Sequence, residues 1–198
     1  MKKSQRKVIV FSTLLAVLSL TSALLMALAP APIAPDAATS LFAVDAPASM
    51  NVIFETERRV ANSQWKYIYV HHSRTTSGNA ITLGSPNGIG DHFIIGNGDG
   101  AVDGEIQISQ RWNHQQHAAP PTGAQFKDAT CISICVVGDF DQTVPTPTQL
   151  RRLGQLVGAL RDQLQIDDQN VILIDQPNSP AGIGRYFPKA GFRQQWVP

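Results

Sequence analysis

Residues 131–137, Cys-Ile-Ser-Ile-Cys-Val-Val, form an almost continuous apolar run of strand length. Such a run suits a central strand covered on both faces, because a half-exposed strand would alternate apolar with polar residues. A covered sheet needs helices or long connections above and below it, so this segment already points to an α/β fold. Residues 171–174, Val-Ile-Leu-Ile, repeat the pattern over a shorter length. Residues 65–71 and 92–95 are further strand candidates, rich in aromatic and β-branched side chains. Asn97-Gly98-Asp99-Gly100 then supplies turn chemistry, since Gly and Asn tolerate positive φ, and 106–109 would return antiparallel as a hairpin arm.

The clearest helix starts at Thr146. Thr146-Pro147-Thr148-Gln149 offers an N-cap hydroxyl, proline at the first helical position and glutamine at N3, the pattern of a capping box. Leu150, Leu153, Leu156, Val157, Leu160 and Leu164 recur on one face, while Arg151, Arg152, Arg161 and Asp162 lie off that stripe. The helix, expected over residues 148–164, therefore packs on the sheet. Gly154 and Gly158 each cost about 1 kcal/mol against alanine, and close packing against the sheet is the expected compensation. Together these elements predict a mixed central β-sheet of about five strands flanked by helices.

With 198 residues, 43% hydrophobic and 16% charged, the chain has material for one domain with a substantial core. The formal net charge of +1 is misleading, because Lys2, Lys3, Arg6 and Lys7 precede the domain and leave 12 basic against 15 acidic residues. No basic patch interleaved with aromatics is present, so nucleic acid is not an expected partner. The four cations are followed by an apolar run over 8–29, interrupted only by Ser and Thr. That is an export signal, and about 22 residues also suffice to cross a bilayer core of roughly 30 Å. Ala27-Leu28-Ala29 resembles a cleavage site, but Pro30 opposes cleavage there. The reading is an uncleaved anchor, or else a signal peptide, over 1–29, an Ala/Pro-rich stalk over 30–50, and a domain over 51–198 on the periplasmic or other extracytoplasmic side. Cys131 and Cys135 are the only cysteines. If both lie in one strand, four residues at about 3.3 Å each separate their Cα atoms by roughly 13 Å, beyond the limit of about 7 Å for a disulfide. Cys135 reads as a small core residue.

The strand Tyr67-Ile68-Tyr69-Val70 runs into His71-His72-Ser73, and Gly90-Asp91-His92-Phe93, Asp103-Gly104-Glu105-Ile106 and Ile132-Ser133-Ile134-Cys135-Val136-Val137-Gly138-Asp139-Phe140 follow in order. In that order and spacing the chain, over residues 65–188, resembles the zinc-dependent N-acetylmuramoyl-L-alanine amidases of the phage-lysozyme and peptidoglycan-recognition-protein type. The resemblance implies an amidase-like fold and a cleft for peptidoglycan or a muropeptide. It also implies that His71 stands at the first zinc-ligand position, Ile174 at the second and Gly182 at the third, with Asp91 where the family has its catalytic Tyr and Pro180 where some members have a cation. One ligand position in three keeps a donor. Residues 73–90 carry glycines and a proline where the family has a helix, so one cleft wall is expected to be a loop.

The family's zinc lowers the pKa of a bound water and polarises the scissile amide, and a phenol or cation steadies the oxyanion. A carboxylate at position 91 replaces that phenol poorly. The expected role is therefore exported muropeptide recognition by a pseudoenzyme without a cofactor. Its floor would be His71, Asp91 and Ile174, with Arg111, Trp112 and His117 near the rim. A core position for Trp112 is the ordinary alternative. A second reading is an active amidase with zinc on a rearranged site, His71 and His117 with Asp175 or Asp91. A third is a structural or partner-binding domain. Ser73 as a nucleophile has no orienting third group, and Asp99, Asp103 and Glu105 match no calcium loop.

Overall fold

The computed structural model describes residues 39–41, 47–84, 88–119, 129–173 and 182–194, all within the second of two contact units, 1–34 and 35–198. In chain order the elements are β1 (Thr39–Leu41), a 3-10 helix (Pro47–Phe54), β2 (Tyr67–His72), β3 (Phe93–Ile95), β4 (Ile106–Ile108), α1 (Gln110–Asn113), β5 (Cys131–Val136), α2 (Pro147–Leu164), a 3-10 turn (Asp168–Asn170), β6 (Val171–Leu173) and α3 (Lys189–Gln194). The sheet order is β1-β4-β3-β5-β2-β6. β5 is central and parallel to both β2 and β3, and β6 is parallel to β2. β3 and β4 form the expected antiparallel hairpin, and β1 extends it antiparallel to β4. The fold is thus a mixed α/β sheet with helices.

One expectation needs correction. The Ala and Pro of 30–50 give no strand period and predict a stalk, yet Thr39–Leu41 adds a sixth strand. Edge pairing needs only backbone groups, which explains why no side-chain pattern announced it. Met50 and Ile53, in the following 3-10 helix, are buried in the core. Among the described residues no helix is long and apolar enough to cross a membrane. The run 8–29 lies outside the described residues.

Strand alternation divides the sheet into two unlike faces. Ile68, Val70, Ile132, Ile134, Phe93 and Ile95 point to one face and form a single core with Leu153, Leu156, Val157, Leu160 and Leu164 of α2. Burying each such side chain fully is worth about 1.5–3 kcal/mol, so this face holds the domain together. α2 begins as its sequence dictates. The Thr146 hydroxyl accepts from the Gln149 N–H at 3.0 Å, and the Gln149 side chain accepts from the Thr146 N–H at 3.1 Å. The glycine expectation fails at Gly158, where an added Cβ would meet nothing within 4 Å. The opposite face carries Tyr69, His71, Ser133 and Cys135, covered in part by Ala80, Leu83 and Ile89 of the loop before β3. No helix occupies the described parts of that loop, as expected from its glycines.

Candidate functional site

The site forms where β2 and β5 end on the less apolar face. Parallel pairing sets His71 opposite Cys135 and places Ser133 one alternation earlier on the same face. Asp91 arrives from the bend just before β3. His71 Nε2 lies 2.8 Å from Asp91 Oδ1, and His71 Nδ1 lies 3.1 Å from the His72 carbonyl. A carbonyl and a carboxylate both accept, so this ring is satisfied only when both nitrogens donate, that is, as an imidazolium. The Ser133 hydroxyl donates to the same Asp91 oxygen at 2.5 Å. Burial works against charge on His71, but Asp91 beside it outweighs burial and raises the imidazole pKa. Burial likewise opposes ionisation of Asp91, yet the His71 charge and the two hydrogen bonds hold its pKa below the ordinary carboxylate value. The pair is a buried ion pair with His71 3% and Asp91 7% exposed.

Cys135 is a buried free thiol whose pKa is pushed up, first by burial and then by the Asp91 charge. Cys131 and Cys135 are not joined by a disulfide, as their strand separation requires. A cleft of about 260 Å³ opens onto His71, Asp91 and Cys135, bordered by Arg74, Leu83 and Ile89.

Two neighbouring histidines have different duties. His72 points to the other side of β2, where its Nδ1 accepts from the Phe140 N–H at 2.8 Å. That bond puts the ring proton on Nε2, which has no hydrogen-bond partner among the described residues and lies 4.0 Å from Asp141 Oδ2. His72, Asp139 and Asp141 bring three donor atoms close together. A metal on Nε2 would require the proton to move to Nδ1, against the backbone N–H, so this grouping is a poor metal site. His92 Nδ1 accepts from the Ser133 N–H at 3.0 Å and Nε2 donates to the Gln116 carbonyl at 2.8 Å. It is a neutral ring locked in one tautomer. Burial lowers its pKa to about 4.

The remaining sequence candidates fall in several places. Arg111 donates to the carbonyls of Ile89 at 2.8 Å and His117 at 3.0 Å, tying the cleft-side loop to the segment after α1. Trp112 is wholly buried and donates through Nε1 to the Ile53 carbonyl, packing on Trp65 and Phe93, so it offers no face to a sugar. It lies on α1, whose inward side serves the core. His117 is exposed and bonds the Ala129 carbonyl at 2.6 Å through Nδ1. Among the described residues it is not one of the donors gathered round His71. Ser73 accepts from the Gly138 N–H at 2.9 Å and bonds Thr75, a turn-holding role. Ile174 and Asp175 lie outside the described residues. Gly182 reaches the end of β2, where its carbonyl accepts from the His72 N–H at 3.4 Å. Gly184 fixes that approach: at φ 88 it lies so close to Phe140 that a Cβ would fall 2.5 Å from the Phe140 carbonyl carbon. Two neighbours were missed from sequence, Ser133 and Cys135. Their signal was a period-two pattern of Cys131, Ser133 and Cys135 inside the apolar run.

The family described as N-acetylmuramoyl-L-alanine amidase (Amidase_2) matches residues 61–181, more than half of the 198. The chain belongs to this amidase family. No curated protein matches it. Among solved structures, it is similar to N-acetylmuramoyl-L-alanine amidase LysC from Clostridium intestinale URNW, at 18% identity and TM-score 0.48, over 71% of this chain and 91% of that one. Endolysine N-acetylmuramoyl-L-alanine amidase LysCS from the same organism gives 19% identity and TM-score 0.46, over 71% and 89%. PGRP-Hd from Alvinella pompejana gives 14% and 0.41, over 63% and 79%.

The amidase family implies zinc, and the ligand positions that the sequence resemblance assigns do not supply a donor set here. Gly182 meets the end of β2 with a backbone carbonyl and no side chain. Ile174 is a hydrocarbon. No step through a zinc ion on that set follows from these residues.

Proposed function

We propose that this amidase-family domain recognises peptidoglycan fragments on the extracytoplasmic side, held at the membrane by residues 8–29, and does not hydrolyse them. The observation that carries the reading is the state of Asp91. Amide hydrolysis develops negative charge on the carbonyl oxygen, which a donor or cation must meet. At the position where the family has a phenol, this chain presents a carboxylate kept ionised by His71 and Ser133. An anion there repels the oxyanion. Binding makes no such demand, and the cleft at His71, Asp91 and Ile89, braced by Arg111, supports it.

The test uses the full-length protein, because a fragment from residue 51 would lack β1. Co-sedimentation with purified sacculi is expected, with no release of stem peptide from muropeptides over a prolonged incubation. Stem-peptide release that is lost in His71→Ala would overturn the reading in favour of an active amidase. Absence of sacculus binding would overturn it in favour of a structural or partner-binding domain.

A further inference from the structure

We propose that His71, Asp91 and Cys135 form a zinc site that shares only His71 with the one the family uses. It brings together donors from β2, from the bend before β3 and from β5. The set the resemblance implies shares His71 but takes its other two positions, Ile174 and Gly182, from the chain after β6. The inference does not depend on the peptidoglycan reading.

Three observations carry it. One nitrogen, one carboxylate oxygen and one sulfur all lie within 4.8 Å of one another. Tetrahedral zinc with bonds of about 2.0–2.3 Å spaces such donors about 3.3–3.7 Å apart. For zinc to enter, the His71–Asp91 contact, now 2.8 Å, would open to about 3.3 Å, with the Asp91 oxygen moving off the line of the Nε2 lone pair. Each of two ligands also has an outer partner already in place. Metal-bound histidines donate their second N–H to a carbonyl or carboxylate, as His71 Nδ1 does to the His72 carbonyl, and ligating carboxylates are themselves hydrogen-bonded, as Asp91 is by Ser133. Finally, the cleft reaches all three donors, which provides an entry path and a side for a fourth ligand.

The donor set selects the ion. A thiolate and an imidazole suit zinc, or cobalt as its spectroscopic substitute, whereas calcium and magnesium need more oxygen ligands than one carboxylate supplies. Loading has a defined proton balance. Nε2 of the His71 imidazolium releases one proton and Sγ of Cys135 another, both to solvent, while Asp91 is already a carboxylate. Cys135 is more than a small core residue on this reading.

The experiment measures metal retained by the folded full-length chain, purified without chelator, loaded with zinc or cobalt(II) and desalted. About one ion per chain is expected. The cobalt form should show the near-ultraviolet thiolate-to-cobalt band. Cys131→Ser should keep that band, and Cys135→Ser should lose it. Asp91→Asn should weaken zinc binding at least about tenfold. Should Cys135→Ser not fold, the Cys131→Ser spectrum decides, because these are the only two cysteines and a surviving band comes from Cys135. No retained metal in folded protein, a band lost with Cys131, or bound cobalt without a thiolate band would each overturn the proposal. None of these results bears on sacculus binding; a retained zinc would place a cation on Asp91 and so bears on the absence of hydrolysis, which stem-peptide release tests on its own.

Discussion

His71 and His92 are both shut away from solvent, on opposite sides of one sheet, yet His71 is an imidazolium and His92 a neutral ring. His92 stands edge-on to Trp65 and Trp112 on the helix-covered side, with one nitrogen accepting and one donating. His71 is on the cleft side, stacked on Tyr69, with an acceptor at each nitrogen. Burial alone would neutralise both rings. What separates them is the second partner: a backbone N–H demands a lone pair, and a carboxylate supports a proton. The helix side holds its histidine neutral, and the cleft side keeps a compensated pair within reach of a ligand. Function follows the side that tolerates polarity.

The largest expected effect lies on the helix side. Leu156 is fully buried between α2 and the sheet, and Leu156→Ala should cost about 3–4 kcal/mol in urea unfolding. Asp91→Ala probes the other side and should cost roughly 3 kcal/mol, because it leaves a buried imidazole without its counter-charge. A loss below about 1 kcal/mol would show that the cleft pair is not part of the fold's stability, and would break the comparison.

Acid should distinguish the two histidines in chelator-treated protein. His92 titrates near 4 when folded and near 6.5 when unfolded, so the unfolded chain takes up the proton first. Its contribution is complete above about pH 6.5 and is lost as pH falls towards 4, roughly 3 kcal/mol in all. His71 has the opposite sign. Its folded pKa is raised, so its stabilising contribution is present below the unfolded value and is lost as pH rises through the folded one. Histidine ring NMR titration should show His71 still protonated where an ordinary histidine is neutral, and His92 still neutral where an ordinary histidine is charged. Matching titrations would remove the contrast.

The two sides also differ in how much of them was legible in the sequence. α2 was readable because its signals are local: Thr146 and Gln149 cap it, and the leucines repeat on one face. Each apolar strand was readable for the same reason. β1 was not, since an edge strand of Thr-Ser-Leu is held by backbone bonds to β4. His71 and Asp91 stood out singly by their positions, but their pairing depends on β2, β5 and the bend before β3 converging, which no local pattern encodes. Trp112 illustrates the converse. A tryptophan between polar neighbours looked available for a sugar, and α1 turns it into the core instead. Cys135 sat in plain view inside an apolar run, where one thiol is indistinguishable from packing until its cross-strand neighbour proves to be a histidine.

The smallest predicted effect sharpens the same division within α2. The inward side of this helix is specified by leucines in contact with the sheet, and large-to-small changes there are costly. Gly158 is on neither a turn nor a close approach, and a Cβ added to it meets nothing within 4 Å. It therefore bears the entropic cost of glycine in a helix with no packing gain to offset it. Gly158→Ala should stabilise the protein by about 0.5–1 kcal/mol, read as a higher urea midpoint at unchanged slope. A loss of stability instead would mean that the outward side of α2 is packed as closely as the inward one, and the helix would then have two working faces.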